Sequence, residues 1–329
     1  MRYRFAMALI AAATWASCVQ AQRLAAGHTE TYPTKPVRVI VGLAPGGATD
    51  VQARIFSQKL SEELGRQFVV DNRSGAGGLI GVQTVAGAAP DGYTLLAATP
   101  GFTIGPAFYD KPPYHPVRNF APISLVTKAP FLIVVHPSFP ARTVNDLVTF
   151  ARSKPGALDF GVGGMGTSIH LGAVWIGNAT NTKITIIPYK GTGPVLTALL
   201  AGEIHTTFAN PINAIPLVRA GRLRALAVTS SERSRVFADV ATVSEAGIPG
   251  FDVTTWHGWL APRGAPAAIV NRLSAALAKA VKAAETAEKL AADGGEPVGS
   301  TPEQFGQFIA AEITRWSKLV KAAGLRLEQ

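Results

Sequence analysis

Residues 37–50, VRVIVGLAPGGATD, carry the clearest prediction of the fold class of this chain. Their first part, Val37–Val41, is an apolar and β-branched run that is typical of a buried strand. A turn rich in Gly and Pro follows at residues 44–49. After the turn, apolar side chains recur at helical spacing, at Ile55, Phe56, Leu60 and Leu64. A strand, a tight turn and a helix in this order form the repeating unit of an α/β protein.

The same unit recurs along the chain and predicts two lobes. Further strands are predicted at residues 68–70, 93–98, 158–162, 184–187 and 224–229. Pro- and Gly-rich segments at 247–251 and 262–266 indicate that the chain then crosses back toward its first part. We therefore predict an α/β protein with largely parallel sheets, in which residues 22–125 and 251–329 form lobe 1 and residues 126–250 form lobe 2.

The composition indicates a folded protein with a preference for anionic partners. Of 329 residues, 47% are hydrophobic and 16% are charged, which excludes a disordered chain. The formal net charge of +10 is compatible with nucleic acid, an anionic membrane or a small anionic ligand. The basic residues are scattered, without an arginine-rich run or interleaved aromatic residues, so we expect no nucleic-acid partner.

Residues 1–21 form a predicted signal peptide. Two arginines precede a 15-residue apolar stretch, and small residues lead to a predicted cleavage site after Ala21. A transmembrane helix needs about 20 apolar residues, so we expect export to the periplasm rather than anchoring. Cleavage would remove Cys18, the single cysteine of the chain, which excludes thiol catalysis in the mature protein. Lipidation of Cys18 stays open as an alternative.

Four Gly-rich turns predict an anion-binding site. They lie at residues 45–50, 75–81, 161–168 and 188–193, and each opens a predicted helix. The start of a helix presents unpaired N–H groups and the positive end of the helix dipole, which suit a carboxylate or phosphate. Glycine in any one of these turns can also serve only to permit tight chain reversal. Four such turns in one chain favour an anion site between the lobes, and Asp50 is most simply a helix N-cap.

The turn at residues 161–166 matches the dinucleotide-binding pattern G-x-G-x-x-G, but a necessary partner residue is absent. That pattern needs an acidic residue about 20 positions further on for the ribose. Residues 160–202 contain neither Asp nor Glu, so we expect no nucleotide cofactor, and indeed no cofactor at all. The same stretch contains Lys183 and Lys190, which favour an anion locally.

The sequence lacks the common signatures of enzymes and metal sites. The six histidines show no metal-ligand spacing, and neither a G-x-S-x-G elbow nor a phosphate-binding loop occurs. We therefore expect no metal site and no catalytic residues. An exported hydrolase acting on a small carboxylate, with Ser168 as nucleophile and His257 as base, is the alternative.

Six motifs together resemble a known receptor family. They are YPTKPVRVIVGLAPGGATD (32–50), VVDNRSGAGGLIG (69–81), APDGYTLLAATPG (89–101), GMGTSIHLGA (164–173), IPYKGTGPVLTALLAGEIHTTFAN (187–210) and WHGWLAP (256–262). In this order and spacing, the chain from about residue 32 onward resembles the extracytoplasmic receptors of the tripartite tricarboxylate transporter system, also called Bug receptors. The resemblance implies the type II periplasmic binding-protein fold, with two α/β lobes and a ligand cleft between them.

The resemblance also implies a set of ligand-binding residues. In the family, backbone N–H groups and ordered water hold a carboxylate at the Pro-Gly-Gly turn of the first lobe. The implied residues of lobe 1 are Pro45, Gly46, Gly47, Ala48, Thr49, Asp50 and Thr99, and Trp256 is implied together with the residues of lobe 2. The implied residues of lobe 2 are Gly166, Thr167, Ser168, Tyr189, Lys190, Gly191 and Asn210. The segment 75–78 is interpreted as structural rather than ligand-contacting.

The implied ligand is a small carboxylate, and the implied partner is a membrane protein. The ligand candidates are di- and tricarboxylates, acidic amino acids and aromatic carboxylates. The partner would be the permease subunits of a transporter or a sensor, and the receptor itself is expected to be a monomer. Ala198 and His205 replace acidic residues that are frequent in the family, which predicts a less negative second lobe and a more anionic ligand.

Overall fold

The computed structural model describes residues 32–189, 191–234, 237–292 and 294–325. The predicted signal peptide and Lys190 therefore lie outside the described residues. The strands are β1 (Val37–Val41), β2 (Phe68–Asn72), β3 (Thr94–Ala98), β4 (Phe120–Pro130), β5 (Leu132–Val135), β6 (Leu158–Val162), β7 (Ile184–Pro188), β8 (Thr206–Ala209), β9 (Arg224–Val228), β10 (Thr254–Pro262) and β11 (Glu296–Pro297). The helices are α1 (Ala48–Leu64), α2 (Leu79–Ala86), α3 (Gly101–Ile104), α4 (Val144–Ser153), α5 (Ser168–Thr180), α6 (Thr192–Leu200), α7 (Pro211–Arg219), α8 (Ala267–Lys282), α9 (Ala284–Ala292) and α10 (Pro302–Ala322). Short 3-10 turns lie at Ala76–Gly78 and Gly105–Phe108.

Two sheets form the centres of two lobes, which confirms the predicted α/β class. The sheet of lobe 1 has the strand order β11-β4-β10-β3-β1-β2, and that of lobe 2 has the order β7-β6-β8-β5-β9. Both faces of the first sheet are covered by apolar side chains. Val37, Val39 and Val41 of β1 pack in one apolar cluster, while Ile40 packs in another, as expected for successive residues of a strand.

The prediction of largely parallel sheets is wrong, because both sheets are mixed. Strands β1, β2 and β3 are parallel to one another, but β10 runs antiparallel to both β3 and β4. In lobe 2, β6 is parallel to β7 and β8, while β5 is antiparallel to β8 and β9. The physical reason lies in the crossings: β4 leads the chain into lobe 2 and β10 leads it back, so the two adjacent strands run in opposite directions.

The chain changes sheets at two places. The first is at Phe131, because β4 continues in the first sheet to Pro130 and β5 begins at Leu132 in the second. The second lies between Val228 and Thr254.

Helix α10 packs against both lobes. Its first half contributes Phe305 and Ile309 to an apolar cluster of lobe 1, and its second half contributes Trp316 and Val320 to a cluster of lobe 2. Thr301 caps the helix in a capping box with Gln304. The core that this helix joins therefore belongs to both lobes.

Candidate ligand-binding site

A cavity of about 410 Å³ lies between the two sheets and receives residues from both lobes. This volume falls within the range of about 300–1,000 Å³ that is typical of small-molecule sites. Seven of the residues predicted from the sequence line this cleft: Ala48, Thr49, Thr99, Gly166, Thr167, Ser168 and Asn210. The cleft thus brings together the first and third Gly-rich turns from opposite lobes.

The start of helix α1 forms one wall of the cleft. Ala48 and Thr49 are its first two residues, and N–H groups in the first turn of a helix have no acceptor within that helix. Pro45, Gly46 and Gly47 precede them, but these residues are exposed to solvent outside the cleft lining.

Asp50 stabilises the turn that precedes α1 and does not line the cleft. The prediction that Asp50 is the N-cap is wrong, because Gly47 is the N-cap and Asp50 is the third residue of the helix. Its buried carboxylate accepts hydrogen bonds from the backbone N–H of Gly46 at 2.9 Å and from Nε of Arg54 at 3.0 Å. The Arg54 guanidinium, together with the Gly46 N–H, holds the pKa of Asp50 below its usual value.

The second Gly-rich turn, which was predicted to be structural, also lines the cleft. Ala76, Gly77 and Gly78 lie in the lining, next to Thr99 and Gly101. The turn packs closely against β1 as well, since a Cβ on Gly42 would lie 2.8 Å from the carbonyl oxygen of Gly78. Glycine is therefore required for backbone packing at the same place where the backbone faces the cavity.

Strand β10 contributes His257 and Thr255 to the cleft, and it turns Trp256 away. Trp256 is fully buried in the core of lobe 1, where its indole N–H donates to Glu312 at 3.2 Å. The structure therefore does not place the predicted residue Trp256 in the cleft. Successive side chains of a strand point to opposite faces, so the neighbours of Trp256 are the ones that line the cavity. Strand alternation in the WHGW motif was the signal that could have identified His257.

His257 belongs to a chain of hydrogen bonds beneath the cleft. The Thr127 hydroxyl donates to Oε1 of Gln52 at 2.7 Å and lies 3.2 Å from Nδ1 of His257. Nε2 of the same ring lies 3.4 Å from the hydroxyl of Thr49. Burial lowers the pKa of His257 to about 4, so the imidazole is neutral at neutral pH.

The third Gly-rich turn forms the wall of lobe 2. Thr167 is the N-cap of α5, and its hydroxyl accepts from the backbone N–H of His170 at 3.3 Å. Nδ1 of His170 in turn accepts from the N–H of Gly166 at 3.1 Å. Because burial lowers the pKa of His170, this ring stays neutral and keeps its acceptor. The two contacts fix the turn in front of Ser168.

The described residues of the fourth Gly-rich turn support the third turn and do not line the cleft. The N–H of Gly191 donates to the carbonyl of Gly163 at 3.0 Å, and the N–H of Tyr189 donates to the carbonyl of Val162 at 2.8 Å. The Tyr189 ring packs against an apolar cluster of lobe 2. The predicted residues Tyr189 and Gly191 thus lie behind the lining.

Several polar groups in the cleft have no protein partner within the part of the chain that the structure describes. Among them are the hydroxyls of Thr99, Ser168 and Thr255 and the side-chain amide of Asn210. Asn210 occupies the N-cap position of α7 without capping it through its side chain. Hydroxyl and amide groups can donate to a carboxylate oxygen, so both lobes present donors to the same cavity.

The described residues that line the cleft include neither Asp, Glu, Lys nor Arg. Over the same described residues, no three His, Cys, Asp or Glu side chains are grouped as metal ligands. In the described ranges, none of the helices combines the length and apolar character that crossing a membrane requires.

Ser168 and His257 are not arranged as a nucleophile and a base. Both line the cleft, but the His257 nitrogens contact Thr127 and Thr49, and the Ser168 hydroxyl has no hydrogen-bond partner among the described residues. A nucleophile needs its base within hydrogen-bond reach. The geometry therefore gives no support to the hydrolase alternative.

The two positions expected to tune the ligand charge lie away from the cleft. Ala198 is buried in the core of lobe 2. His205 lies 3.3 Å from Asp159 and packs against the rings of Phe139 and Phe150. Their placement removes the argument for a more anionic ligand.

Comparison with known proteins agrees with this geometry. The family model of the tripartite tricarboxylate transporter family receptor matches residues 52–325. Protein BugT of Bordetella pertussis is 36% identical over 301 residues, which cover 91% of this chain and 92% of BugT.

Solved structures of two proteins of Rhodopseudomonas palustris share the fold. Rpa4515 with adipate is 37% identical with a TM-score of 0.80, covering 90% of this chain and 99% of that chain. MatC (Rpa3494) with bound malate is 33% identical with a TM-score of 0.77, covering 88% of this chain and all (100%) of that chain. The chain therefore belongs to the tripartite tricarboxylate transporter receptor family, the Bug receptors, and is a solute-binding receptor with the two-lobed type II periplasmic binding-protein fold.

Proposed function

We propose that this receptor captures a small carboxylate between its two lobes in the periplasm and delivers it to a membrane permease or a sensor. The observation that carries this proposal is a cleft in which both lobes present helix starts and unpartnered hydroxyl or amide groups. Two relatives of known structure hold dicarboxylates, adipate and malate, which supports the same ligand class here.

The proposed capture uses donors from both lobes. From lobe 1, the N–H groups of Ala48 and Thr49 and the hydroxyls of Thr99 and Thr255 would face the carboxylate. From lobe 2, the start of α5 at Gly166–Ser168 and the amide of Asn210 would do so. The positive ends of the helix dipoles offset part of the ligand charge, and the described residues of the lining add no basic side chain. A ligand that contacts both lobes binds the closed arrangement more tightly and shifts the receptor toward it.

The binding test uses mature protein from the periplasmic fraction. Its intact mass shows where the signal peptide was cleaved. We expect an N-terminus at Gln22. The protein is unfolded, washed and refolded to remove bound ligand, then screened by thermal shift against mono-, di- and tricarboxylates, acidic amino acids, NADH and ATP. A carboxylate at 100 times its Kd should stabilise the fold by about 2.7 kcal/mol.

Two substitutions locate the site within this screen. Thr99→Val and Ser168→Ala each remove one unpartnered hydroxyl, and each should weaken carboxylate binding about 10- to 100-fold, since hydrogen bonds to charged groups contribute about 1.5–3 kcal/mol. Thr314→Val, on an exposed part of α10, is the matched control and should bind as the parent does. Binding of NADH or ATP without any carboxylate, or unchanged affinity in both cleft variants, would contradict the proposal.

A further inference from the structure

The cleft contains an apolar wall that its polar groups do not explain. Eight large apolar side chains are exposed among the described residues, and three of them line the cleft: Leu43 (40% exposed), Met165 (50%) and Ile212 (41%). Leu43 comes from lobe 1, and the other two come from lobe 2. Exposed apolar side chains that gather in a groove from two sides mark a surface that becomes covered when the groove is occupied.

Buried apolar side chains continue this wall into the cavity. Phe108, Phe131 and Ile169 line the same cleft and are only 3–6% exposed. We define the apolar wall as these three residues together with Leu43, Met165 and Ile212. The wall thus combines a buried floor with an exposed rim.

The described part of the remaining lining carries no charged side chain that could pair with several ligand charges. Among the described residues it provides hydroxyls, the side-chain amides of Gln52 and Asn210, a neutral imidazole and helix starts, without a basic side chain. Each additional carboxylate or hydroxyl of a ligand would have to leave water, and burial of a polar group without a partner is unfavourable. Apolar ligand surface against the wall has no such cost.

We propose that the ligand of this receptor is a carboxylate with a hydrocarbon body, either an alkyl chain or an aromatic ring, which packs against the apolar wall. This inference rests on the proposed carboxylate capture and narrows its ligand class. It reverses the expectation of a more anionic ligand, because the cleft itself and not Ala198 or His205 determines the chemistry that the ligand meets.

The inference predicts a dependence of affinity on chain length. Isothermal titration with the straight-chain series from propanoate to octanoate should show Kd falling about fourfold per CH₂ until the cavity is filled. This factor corresponds to about 0.8 kcal/mol for each buried CH₂, at about 1.4 kcal/mol per tenfold change in Kd. Adipate and benzoate should bind more tightly than citrate and tartrate. The comparison of hexanoate with benzoate shows whether the apolar wall favours an alkyl chain or an aromatic ring.

Variants of the rim test whether the wall causes the dependence. We call the fall in Kd for each added CH₂ the chain-length factor. Met165→Ser and Ile212→Ser should each reduce this factor from about fourfold to twofold or less. Both residues are exposed, so we expect the variants to fold. Val117→Ser replaces a side chain that is 44% exposed outside the cleft, and this control should keep the parental factor.

The outcomes separate this inference from the proposed function. If carboxylates bind with a Kd that does not depend on chain length, or if citrate or tartrate binds most tightly, the hydrocarbon body is wrong while carboxylate capture stands. If the chain-length factor persists in both rim variants, the apolar wall is not its cause. If none of the carboxylates binds, the proposed function fails and this inference fails with it.

Discussion

His257 shows at the scale of one residue how burial sets the state of a cleft side chain. Its ring is held between Thr127 and Thr49, and burial lowers its pKa to about 4. In the unfolded chain the same histidine takes up a proton near its ordinary pKa of about 6.5. Between these values the unfolded state binds more protons than the folded state, so acidification favours unfolding.

This difference predicts the pH dependence of stability. As the pH falls from about 6.5 to about 4, the parent should lose up to about 3 kcal/mol of unfolding free energy through His257, at about 1.4 kcal/mol per pH unit. His257→Gln has no titrating ring, so this part of the loss should disappear. Urea denaturation of both proteins at several pH values measures the difference, and parallel pH profiles would show that His257 is not buried in its neutral form.

The burial of Glu312 illustrates the role of a single element, helix α10. Its carboxylate oxygen Oε2 accepts from the indole N–H of Trp256 at 3.2 Å and from that of Trp316 at 2.9 Å. Trp256 belongs to the core of lobe 1, while Trp316 packs in a cluster of lobe 2. Arg315, on the same helix, contacts both Glu312 and Asp252, just before β10. The Glu312 carboxylate therefore connects α10 to β10, and Trp316 extends the packing of the same helix into lobe 2.

The two hydrogen bonds of Glu312 predict that different substitutions at this position lower the unfolding free energy by different amounts. Glu312→Ala leaves two buried indole N–H groups without an acceptor and should lower the unfolding free energy by about 2–5 kcal/mol. Glu312→Gln keeps an acceptor oxygen and should cost about 1 kcal/mol. Denaturation at neutral pH measures both variants. Equal losses would indicate that the charge of Glu312, rather than its acceptor oxygen, stabilises the helix.

At the scale of the whole molecule, the two lobes are joined by few segments. The chain crosses at Phe131 and again between Val228 and Thr254, and α10 lies against both lobes. A cleft whose donors come from opposite lobes satisfies a ligand fully only when the lobes approach each other. Crossings of this kind are suited to hinge motion.

Closure predicts a change of overall dimensions on ligand binding. Small-angle X-ray scattering of ligand-free protein should show a smaller radius of gyration once a binding carboxylate saturates the cleft. The combined Thr99→Val and Ser168→Ala variant should remain at the ligand-free value at the same carboxylate concentration. Saturation of the parent without a decrease in radius would argue against capture by closure.

The β–turn–α units and the Gly-rich turns were predictable from the sequence, because periodicity and chain reversal depend on neighbouring residues. Tertiary structure alone decided which turns meet. It brought Ala48 and Ser168 into one cleft, placed Tyr189 behind it, and turned His257 rather than Trp256 toward the cavity. It also assembled the apolar wall from both lobes and left the lining without charged side chains among the described residues. A cleft is formed by residues far apart in the chain, and their meeting depends on strand order, crossing direction and packing, which local sequence patterns do not encode.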